Sequence, residues 1–334
     1  MNENPYIKQF PDLLRGKTVL YVHGFASSAQ SGTVRRLRET FPEATVVAFD
    51  LPVEPHEALD LLMRKCDDIK PDLILGTSMG GMYAEQLRGH DRILVNPAFQ
   101  IADTMREHNM MGKQQFLNPR EDGVQEFYVD KPLVKAYREV SEQCFARAEE
   151  EKDFVCYGLF GDRDPLVHTF DLFSRHYPLA LHFHGEHRMD DHSFMHAVAP
   201  VIRWIDDRQE QRQRPIVFIG VDAMRDSYGK PLSSVVKAVS RLIECYNVYF
   251  MAPCPTNNPA YTADTQAWLQ QYIAVPAHDH VVFTNQPQLL YGDYFVLPDI
   301  AFGADFMGAV LRLGSDEFKT WEDILVYFER LGGQ

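Results

Sequence analysis

Short apolar runs alternate with stretches of helical periodicity along most of this chain. Such an alternation predicts parallel strands joined by helices, and therefore an α/β fold. Between the first two runs, Val34, Leu37 and Phe41 fall on one face of a predicted helix that Ser31 could cap. In the first part of the chain, strands are predicted at residues 18–22, 46–49, 73–75, 93–95, 154–160 and 179–183.

Residues 100–152 interrupt this pattern without a clear strand of their own. They contain several methionines and phenylalanines and then a helix-like stretch over residues 132–151. Long insertions between two strands usually have a function. The segment is therefore predicted to form a helical lid over a pocket, with an ordinary helical excursion as the alternative.

The alternation stops at residues 206–214, DDRQEQRQR, and then restarts. A polar stretch without apolar periodicity is typical of a linker or an exposed helix end. After it, strands are predicted at residues 216–221, 248–251, 281–284 and 294–297, and helices at 233–246, 262–272 and 321–331. We therefore expect two domains, residues 1–208 and 215–334, joined by a linker over 209–214, the second being a Rossmann-like α/β domain.

Composition narrows the classes of partner. Hydrophobic residues make up 45% of the 334 positions and charged residues 24%, as in a globular protein. The formal net charge of −14 disfavours binding to nucleic acid or to an anionic membrane. We expect a small-molecule partner, no nucleic acid and no membrane, and a homo-oligomer is compatible with this composition.

Targeting signals and cysteine usage both predict a cytoplasmic protein. The N-terminus lacks a basic region followed by an apolar stretch, so no signal peptide is predicted, and no apolar run has the length of a membrane span. The five cysteines form no CxxC pair. Scattered thiols in an odd number are typical of a cytoplasmic protein with reduced cysteines.

The strongest chemical signal is the sequence GTSMGG, which follows an apolar strand and precedes a helical pattern. A serine between glycines in this context is typical of a nucleophile elbow, where a tight turn presents the hydroxyl. Side chains at Gly76 or Gly80 would collide with the neighbouring backbone. Ser78 is therefore the predicted nucleophile.

An oxyanion site is predicted from two backbone N–H groups. The first apolar strand ends in His23-Gly24, and hydrolases with a nucleophile elbow place one donor in the loop after such a strand. Phe25 N–H is the preferred donor from this loop, and Met79 N–H is the second donor, at the start of the helix after Ser78. Together they would stabilise negative charge on a tetrahedral intermediate.

An acid and a base should follow Ser78 in chain order. After the strand at 154–160 come two aspartates, and Asp164, followed by proline, is preferred as the group that orients a histidine. Asp162 is expected to brace the turn instead.

The loop after the last strand of the first domain contains several histidines. His192 is preferred as the general base, because a helical pattern follows it directly, and His187 is the second choice. The cluster also contains His184, Asp190 and Asp191, which suggests a metal site, but the spacing matches no metal-binding motif.

These segments together resemble the YqiA/YcfP-type small bacterial esterases of the α/β-hydrolase superfamily. The resemblance covers about residues 17–206 and rests on YVHGFASSAQSGTVRRL, GTSMGGMYAEQL, RILVNPAF, GDRDPLV and DHSF. It implies a compact hydrolase that cleaves esters or thioesters of short acyl groups. The long segment after Asn96-Pro97 departs from the family pattern.

The second domain resembles the haloacid dehalogenase superfamily, especially its 5'-nucleotidase branch. The likeness rests on RPIVFIGVDAMRDSYGKPL, which contains Asp222, and on NVYFMAPCPTNNP, FTNQPQLLYGDYFVLPD and KTWEDILVYFERL. Against the superfamily pattern, Met224 replaces the proton-donating aspartate and Ala252 replaces the phosphate-binding hydroxyl.

Further departures from the superfamily pattern concern its lysine and its last acidic pair. The lysine expected near Gln286 or Gln288 is absent, and the acidic pair of the last motif is reduced to Asp299. Asp222 and Asp299 could still hold a magnesium ion, since hard cations bind carboxylate oxygens. The domain is nonetheless predicted to be catalytically degenerate.

Three alternative hypotheses about the function follow from these observations. The first is a serine esterase that uses Ser78, His192 and Asp164 and needs no cofactor. The second is a nucleotidase that acts through the second domain. The third is a hydrolase gated by a nucleotide that binds there.

Overall fold

The computed structural model describes residues 12–151, 153–298 and 301–332. By its internal contacts the chain divides into two compact units, Met1–Asp206 and Asp207–Gln334. Each unit is built on a parallel sheet, so the predicted α/β class with parallel strands is confirmed. Among the described residues, no helix combines the length and the apolar character needed to cross a membrane.

The first unit contains a six-stranded parallel sheet in the order β2-β1-β3-β4-β7-β8. Its central strands β3 and β4 are buried, as expected where helices cover both faces of a parallel sheet. All six lie within a few residues of the predicted positions. The strands are β1 (Thr18–Val22), β2 (Thr45–Ala48), β3 (Leu73–Thr77), β4 (Asp91–Val95), β7 (Cys156–Gly161) and β8 (Ala180–Phe183).

Local sequence explains where the helices of this unit begin. The side chain of Glu54 accepts a hydrogen bond from Glu57 N (2.8 Å), and Pro55 opens the helix that follows. The helices are α1 (Gly32–Thr40), α2 (Pro55–Ile69), α3 (Met79–Gln86), α4 (Ile101–Glu107), α5 (Lys131–Ser141), α6 (Phe170–Ser174), α7 (Asp191–Ser193) and α8 (Ala199–Gln209), with a π-helical turn at Phe194–Val198 between the last two.

The insertion between β4 and β7 differs from the predicted helical lid. Besides α4 and α5 it contains an antiparallel hairpin, β5 (Gly112–Gln115) and β6 (Glu126–Val129), which the sequence analysis did not predict. The hairpin strands are short and partly exposed, so they carry little apolar alternation. The predicted helix over 132–151 also ends early, at Ser141, and a 3₁₀ turn (Ala148–Glu150) follows.

The second unit contains a five-stranded parallel sheet in the order β11-β10-β9-β12-β13. Four strands lie where they were predicted, and the edge strand β13 was missed because it is short and half exposed. The strands are β9 (Ile216–Gly220), β10 (Asn247–Ala252), β11 (Val281–Phe283), β12 (Tyr294–Leu297) and β13 (Ala309–Arg312). The helices are α9 (Val235–Cys245), α10 (Ala260–Tyr272) and α11 (Trp321–Gly332).

Candidate active site

Ser78 lies in the turn between β3 and α3, and its backbone is in the left-handed region (φ 55°, ψ −121°). This conformation is costly for a residue with a side chain and persists only where the surroundings enforce it. Ser78 N donates to Val95 O (2.9 Å) and Ala98 N donates to Ser78 O (3.0 Å), so both sides of the serine are tied to the segment after β4.

The glycines around Ser78 are required by close backbone contacts. A Cβ at Gly76 would lie 2.4 Å from Gly80 O, and a Cβ at Gly80 would lie 2.0 Å from Val22 O. Neither distance is compatible with a side chain. The helix that follows the serine can therefore pack directly onto β1 and β3, as the predicted elbow requires.

His187, rather than His192, lies beside Ser78. The His187 Nε2 atom is 3.0 Å from Ser78 Oγ, and its Nδ1 atom is 2.8 Å from Asp164 Oδ2. The preference for His192 is thus corrected by the structure, since His187, the second choice, lies where the general base was expected.

The reason for the correction is the start of helix α7. Asp190 and Ser193 form a capping box, in which the Asp190 side chain accepts from Ser193 N (2.7 Å) and the Ser193 hydroxyl accepts from Asp190 N (3.0 Å). Such a box fixes the first turn of a helix. It places His192 inside that turn, where its ring lies against His196 (4.3 Å between centroids). His187 precedes the cap and belongs to the loop.

Asp164 is buried behind His187. Its Oδ1 atom accepts hydrogen bonds from Leu166 N (2.8 Å) and Val167 N (3.1 Å), while Oδ2 faces His187. Burial alone would raise the pKa of Asp164, but these hydrogen bonds together hold the pKa below its usual range. The carboxylate is therefore ionised at neutral pH and can orient the imidazole.

Asp162 has a different set of partners. Its carboxylate accepts from His184 Nδ1 (2.7 Å) and from Gly185 N (3.1 Å). These contacts join the turn after β7 to the loop after β8. Asp162 therefore braces this turn, and it is Asp164 that contacts the histidine beside Ser78.

The two predicted oxyanion donors flank the serine. Met79 N opens helix α3, and Gly24, next to Phe25, lies against Ser78, since a Cβ built on it would be 3.3 Å from Ser78 Cβ. Within the described parts of the chain, no acceptor takes a hydrogen bond from Phe25 N or Met79 N. The role of these two groups as oxyanion donors stays a prediction.

His23 holds this loop in place. Leu51 N donates to His23 Nε2 (3.3 Å), so Nδ1 carries the proton and donates to Gly24 O (2.8 Å). Burial lowers the pKa of His23 and keeps the ring neutral. The histidine next to the predicted oxyanion loop is therefore a structural group.

A small cavity lined mostly by apolar side chains adjoins the two predicted donors. Besides Met79, three segments line it: the loop after β1, residues 51–53, and the insertion. The insertion contributes Phe116 and Phe127 from the hairpin and Tyr137 from α5. Because Leu117 N donates to Ala26 O (2.7 Å), the hairpin is tied to the loop that carries Phe25. The insertion thus forms one wall of this cavity.

Asn96, for which no role was predicted from the sequence, is buried directly after β4. Its side-chain amide contacts Gly161, Glu186 and His187. The available signal was a carboxamide placed directly after a buried strand, at the edge where the other site residues gather. By itself that pattern does not reveal the partners of the amide.

At the corresponding edge of the second sheet, Asp222 follows β9 in a 3₁₀ turn (Val221–Ala223). Its Oδ1 atom accepts from Arg225 Nη2 (2.9 Å) and Nε (3.2 Å), and Arg225 Nη2 also donates to Tyr261 Oη (3.2 Å). Met224 and Ala252 are fully buried. No hydroxyl or second carboxylate in the described segments is hydrogen-bonded to Asp222.

The magnesium site predicted at Asp222 and Asp299 stays a prediction. Asp299 lies outside the described residues, and within the described ranges no three His, Cys, Asp or Glu side chains are grouped as metal ligands. At Asp222 the guanidinium of Arg225 occupies the position of a counter-ion.

Comparison with known proteins gives one family and several partial similarities. The model of the uncharacterised protein family UPF0227 matches residues 18–147. A putative 5'(3')-deoxyribonucleotidase of Vibrio phage KVP40 is 27% identical over 99 residues, which are 29% of this chain. The chain spans 58% of the length of that curated relative.

Two solved structures illustrate the structural similarities. A monoglyceride lipase variant from Saccharomyces cerevisiae aligns at 14% identity and a TM-score of 0.42, over 59% of this chain and 87% of the lipase. Est1E from Butyrivibrio proteoclasticus aligns at 16% identity and a TM-score of 0.40, over 60% of this chain and 90% of Est1E. Similarities this loose do not by themselves assign an activity.

Proposed function

We propose that the first unit is a serine hydrolase that cleaves a carboxylic ester or thioester of a small substrate. One observation carries the proposal: the row of contacts from Ser78 Oγ to His187 Nε2 (3.0 Å) and from His187 Nδ1 to Asp164 Oδ2 (2.8 Å). A hydroxyl, an imidazole and an ionised carboxylate in this order are what nucleophilic catalysis by serine requires.

In the proposed reaction, His187 Nε2 takes the proton of Ser78 as the serine oxygen attacks the carbonyl carbon of the substrate. The tetrahedral oxyanion accepts hydrogen bonds from Phe25 N and Met79 N. When the intermediate collapses, the bond to the leaving alcohol or thiol breaks and His187 returns the proton to it. Water then attacks the acyl-enzyme by the same route and releases the acid. No cofactor is needed.

The apolar cavity supports a short acyl group as the part of the substrate that is retained. It adjoins Phe25 and Met79, and its other walls are aromatic and aliphatic. Apolar surface of this kind binds hydrocarbon through the hydrophobic effect. Because the cavity is small and Phe116 and Phe127 line one side of it, we expect short acyl groups to be preferred over long chains.

The decisive experiment is labelling with a fluorophosphonate, followed by hydrolysis of chromogenic esters of increasing acyl length. Ser78→Ala should abolish both labelling and turnover, while Ser174→Ala, which removes a hydroxyl bonded within its own helix, should leave both unchanged. Labelling that persists in Ser78→Ala contradicts the assignment. A preference for long acyl chains contradicts the proposed use of the cavity.

For the second unit we propose a catalytically degenerate relative of the haloacid dehalogenase-type nucleotidases. The phage protein named as a putative deoxyribonucleotidase supports a relationship. The pairing of Asp222 with Arg225, and the apolar Met224 and Ala252 at positions where phosphoryl transfer needs polar groups, support the loss of activity. The alternative, in which a nucleotide bound to the second unit gates the hydrolase, is tested by measuring the esterase rate of the full chain with and without a nucleotide.

A further inference from the structure

Asn96 joins the end of β4 to the end of β7 and to the loop after β8. It directly follows β4, and only 1% of its surface is exposed. Its Oδ1 atom accepts from Gly161 N (2.7 Å), and its Nδ2 atom donates to Glu186 O (3.0 Å) and His187 O (3.1 Å). One side chain thus contacts the strand end that leads to Asp164 and the loop that carries His187.

Chemistry fixes the orientation of this amide. Gly161 N–H can only donate, and the two carbonyls can only accept, so the oxygen and the nitrogen of the Asn96 side chain cannot be exchanged. Both amide hydrogens are used. Since the contacts are buried, losing them would leave unpaired groups, which costs more than a lost surface hydrogen bond.

The backbone around Asn96 also fixes Ser78, the third residue of the candidate site. Asn96 adopts φ 46°, a left-handed conformation that asparagine tolerates better than most residues. On one side of it, Val95 O accepts from Ser78 N; on the other, Ala98 N donates to Ser78 O. The peptide segment that fixes Ser78 therefore also carries the amide that fixes the loop of His187.

We propose that Asn96 is a positioning residue, which sets the place of the His187 backbone relative to Ser78 so that Nε2 reaches the hydroxyl. It touches none of the reacting atoms and acts through His187. The consequence for turnover rests on the proposed serine hydrolase function. The consequence for the His187–Asp164 contact does not.

Two variants test the proposal. Asn96→Gly keeps the left-handed backbone accessible and removes the amide. Asn96→Asp keeps the size but sets a carboxylate oxygen against two carbonyl oxygens. In both, kcat should fall about 10²-fold, the scale of a misplacement of about 1 Å, while KM changes little. The rate of fluorophosphonate labelling should fall in parallel.

Gln86→Leu is the matched control. Gln86 is another buried carboxamide, whose Nε2 atom donates to Met82 O and Val140 O (3.3 Å each), but it contacts neither loop of the site. This variant should lose stability like the Asn96 variants and keep its kcat. A loss of kcat as large as that of Asn96→Gly would show that any damaged core has this effect, and would overturn the proposal.

A second readout is independent of turnover. With selectively ¹⁵N-labelled histidine, the Nδ1 proton shared by His187 and Asp164 should give a low-field resonance that His187→Gln removes. It should weaken or vanish in the Asn96 variants and persist in Gln86→Leu. If the wild type neither binds the probe nor cleaves esters, the proposed function fails, yet this resonance still decides the role of Asn96. A folded Asn96→Gly or Asn96→Asp with unchanged resonance contradicts it, and Asn96→Asp serves alone if the glycine variant does not fold.

Discussion

Both units place a reactive type of side chain at the carboxyl edge of a parallel sheet, and only the first surrounds it with partners. Ser78 follows β3, and the loops after two other strands bring His187 and Asp164 to it. Asp222 follows β9, but its partner Arg225 comes from its own turn, and β10 ends in Ala252. The edge of a parallel sheet gathers loops. It makes a site only when several of those loops carry complementary groups.

The carboxylate of the first unit is also more deeply buried than that of the second. The Asp164 side chain is 2% exposed and fully hydrogen-bonded, whereas that of Asp222 is 58% exposed and paired with an arginine three residues away. An exposed ion pair contributes little to stability, on the order of 0–1 kcal/mol. The structure of the first unit therefore depends on its carboxylate in a way that the second unit does not depend on Asp222.

The largest effect that would sharpen the comparison is expected from His187. His187→Ala should lower kcat about 10²- to 10⁴-fold, because a serine hydroxyl without a base is a weak nucleophile at neutral pH. Turnover of a chromogenic ester measures it. His192→Ala, in the capped turn of α7, is the matched control and should leave kcat close to that of the wild type. If His192→Ala proved to be the damaging variant, the structure would have the wrong histidine at the serine.

A loss of similar size is expected when the carboxylate of Asp164 is replaced. In Asp164→Asn the amide oxygen would still accept from Leu166 N and Val167 N, so its NH₂ group would face His187 Nδ1. The imidazole would then carry its proton on Nε2 and could not accept the proton of Ser78. We expect kcat for a chromogenic ester to fall by up to about 10⁴-fold, the scale of a serine triad whose imidazole holds the wrong tautomer.

Asp162→Asn is the control for this variant, because the Asp162 carboxylate pairs with Arg163 and with the loop after β8 and not with His187. Its kcat should fall far less than that of Asp164→Asn in the same ester assay. The reverse order would move the orienting carboxylate to Asp162.

The sequence was sufficient for the parts of the molecule that repeat or that are sterically unique. Buried strands carry continuous apolar runs, so the order of strands and helices could be predicted; the elbow could be predicted because only glycine fits at Gly76 and Gly80. The hairpin of the insertion has four-residue strands with little apolar pattern, and it was missed.

Loop paths were harder to predict than elements. Choosing between His187 and His192 required knowing where α7 begins, and the signal was present in Asp190 and Ser193, three residues apart, as in a capping box. The contacts of Asn96 could not be predicted, because they join segments that are 65 to 91 residues apart in the chain. Such contacts depend on the sheet order, which no local pattern contains.

The smallest effects are expected in the second unit. A large effect there would contradict the difference drawn between the two units. We expect no measurable phosphate release from nucleoside monophosphates, even with saturating magnesium, and Asp222→Asn should leave the esterase rate unchanged. An aspartyl nucleophile forms a phospho-enzyme only if the leaving alkoxide receives a proton, which Met224 cannot donate, and Ala252 offers the phosphoryl oxygens no hydroxyl. Met224→Asp alone should not restore activity, because groups that act together lose and regain function non-additively. Magnesium-dependent phosphate release that survives Ser78→Ala and disappears in Asp222→Asn would instead make the chain a bifunctional enzyme, with a working site at the carboxyl edge of each sheet.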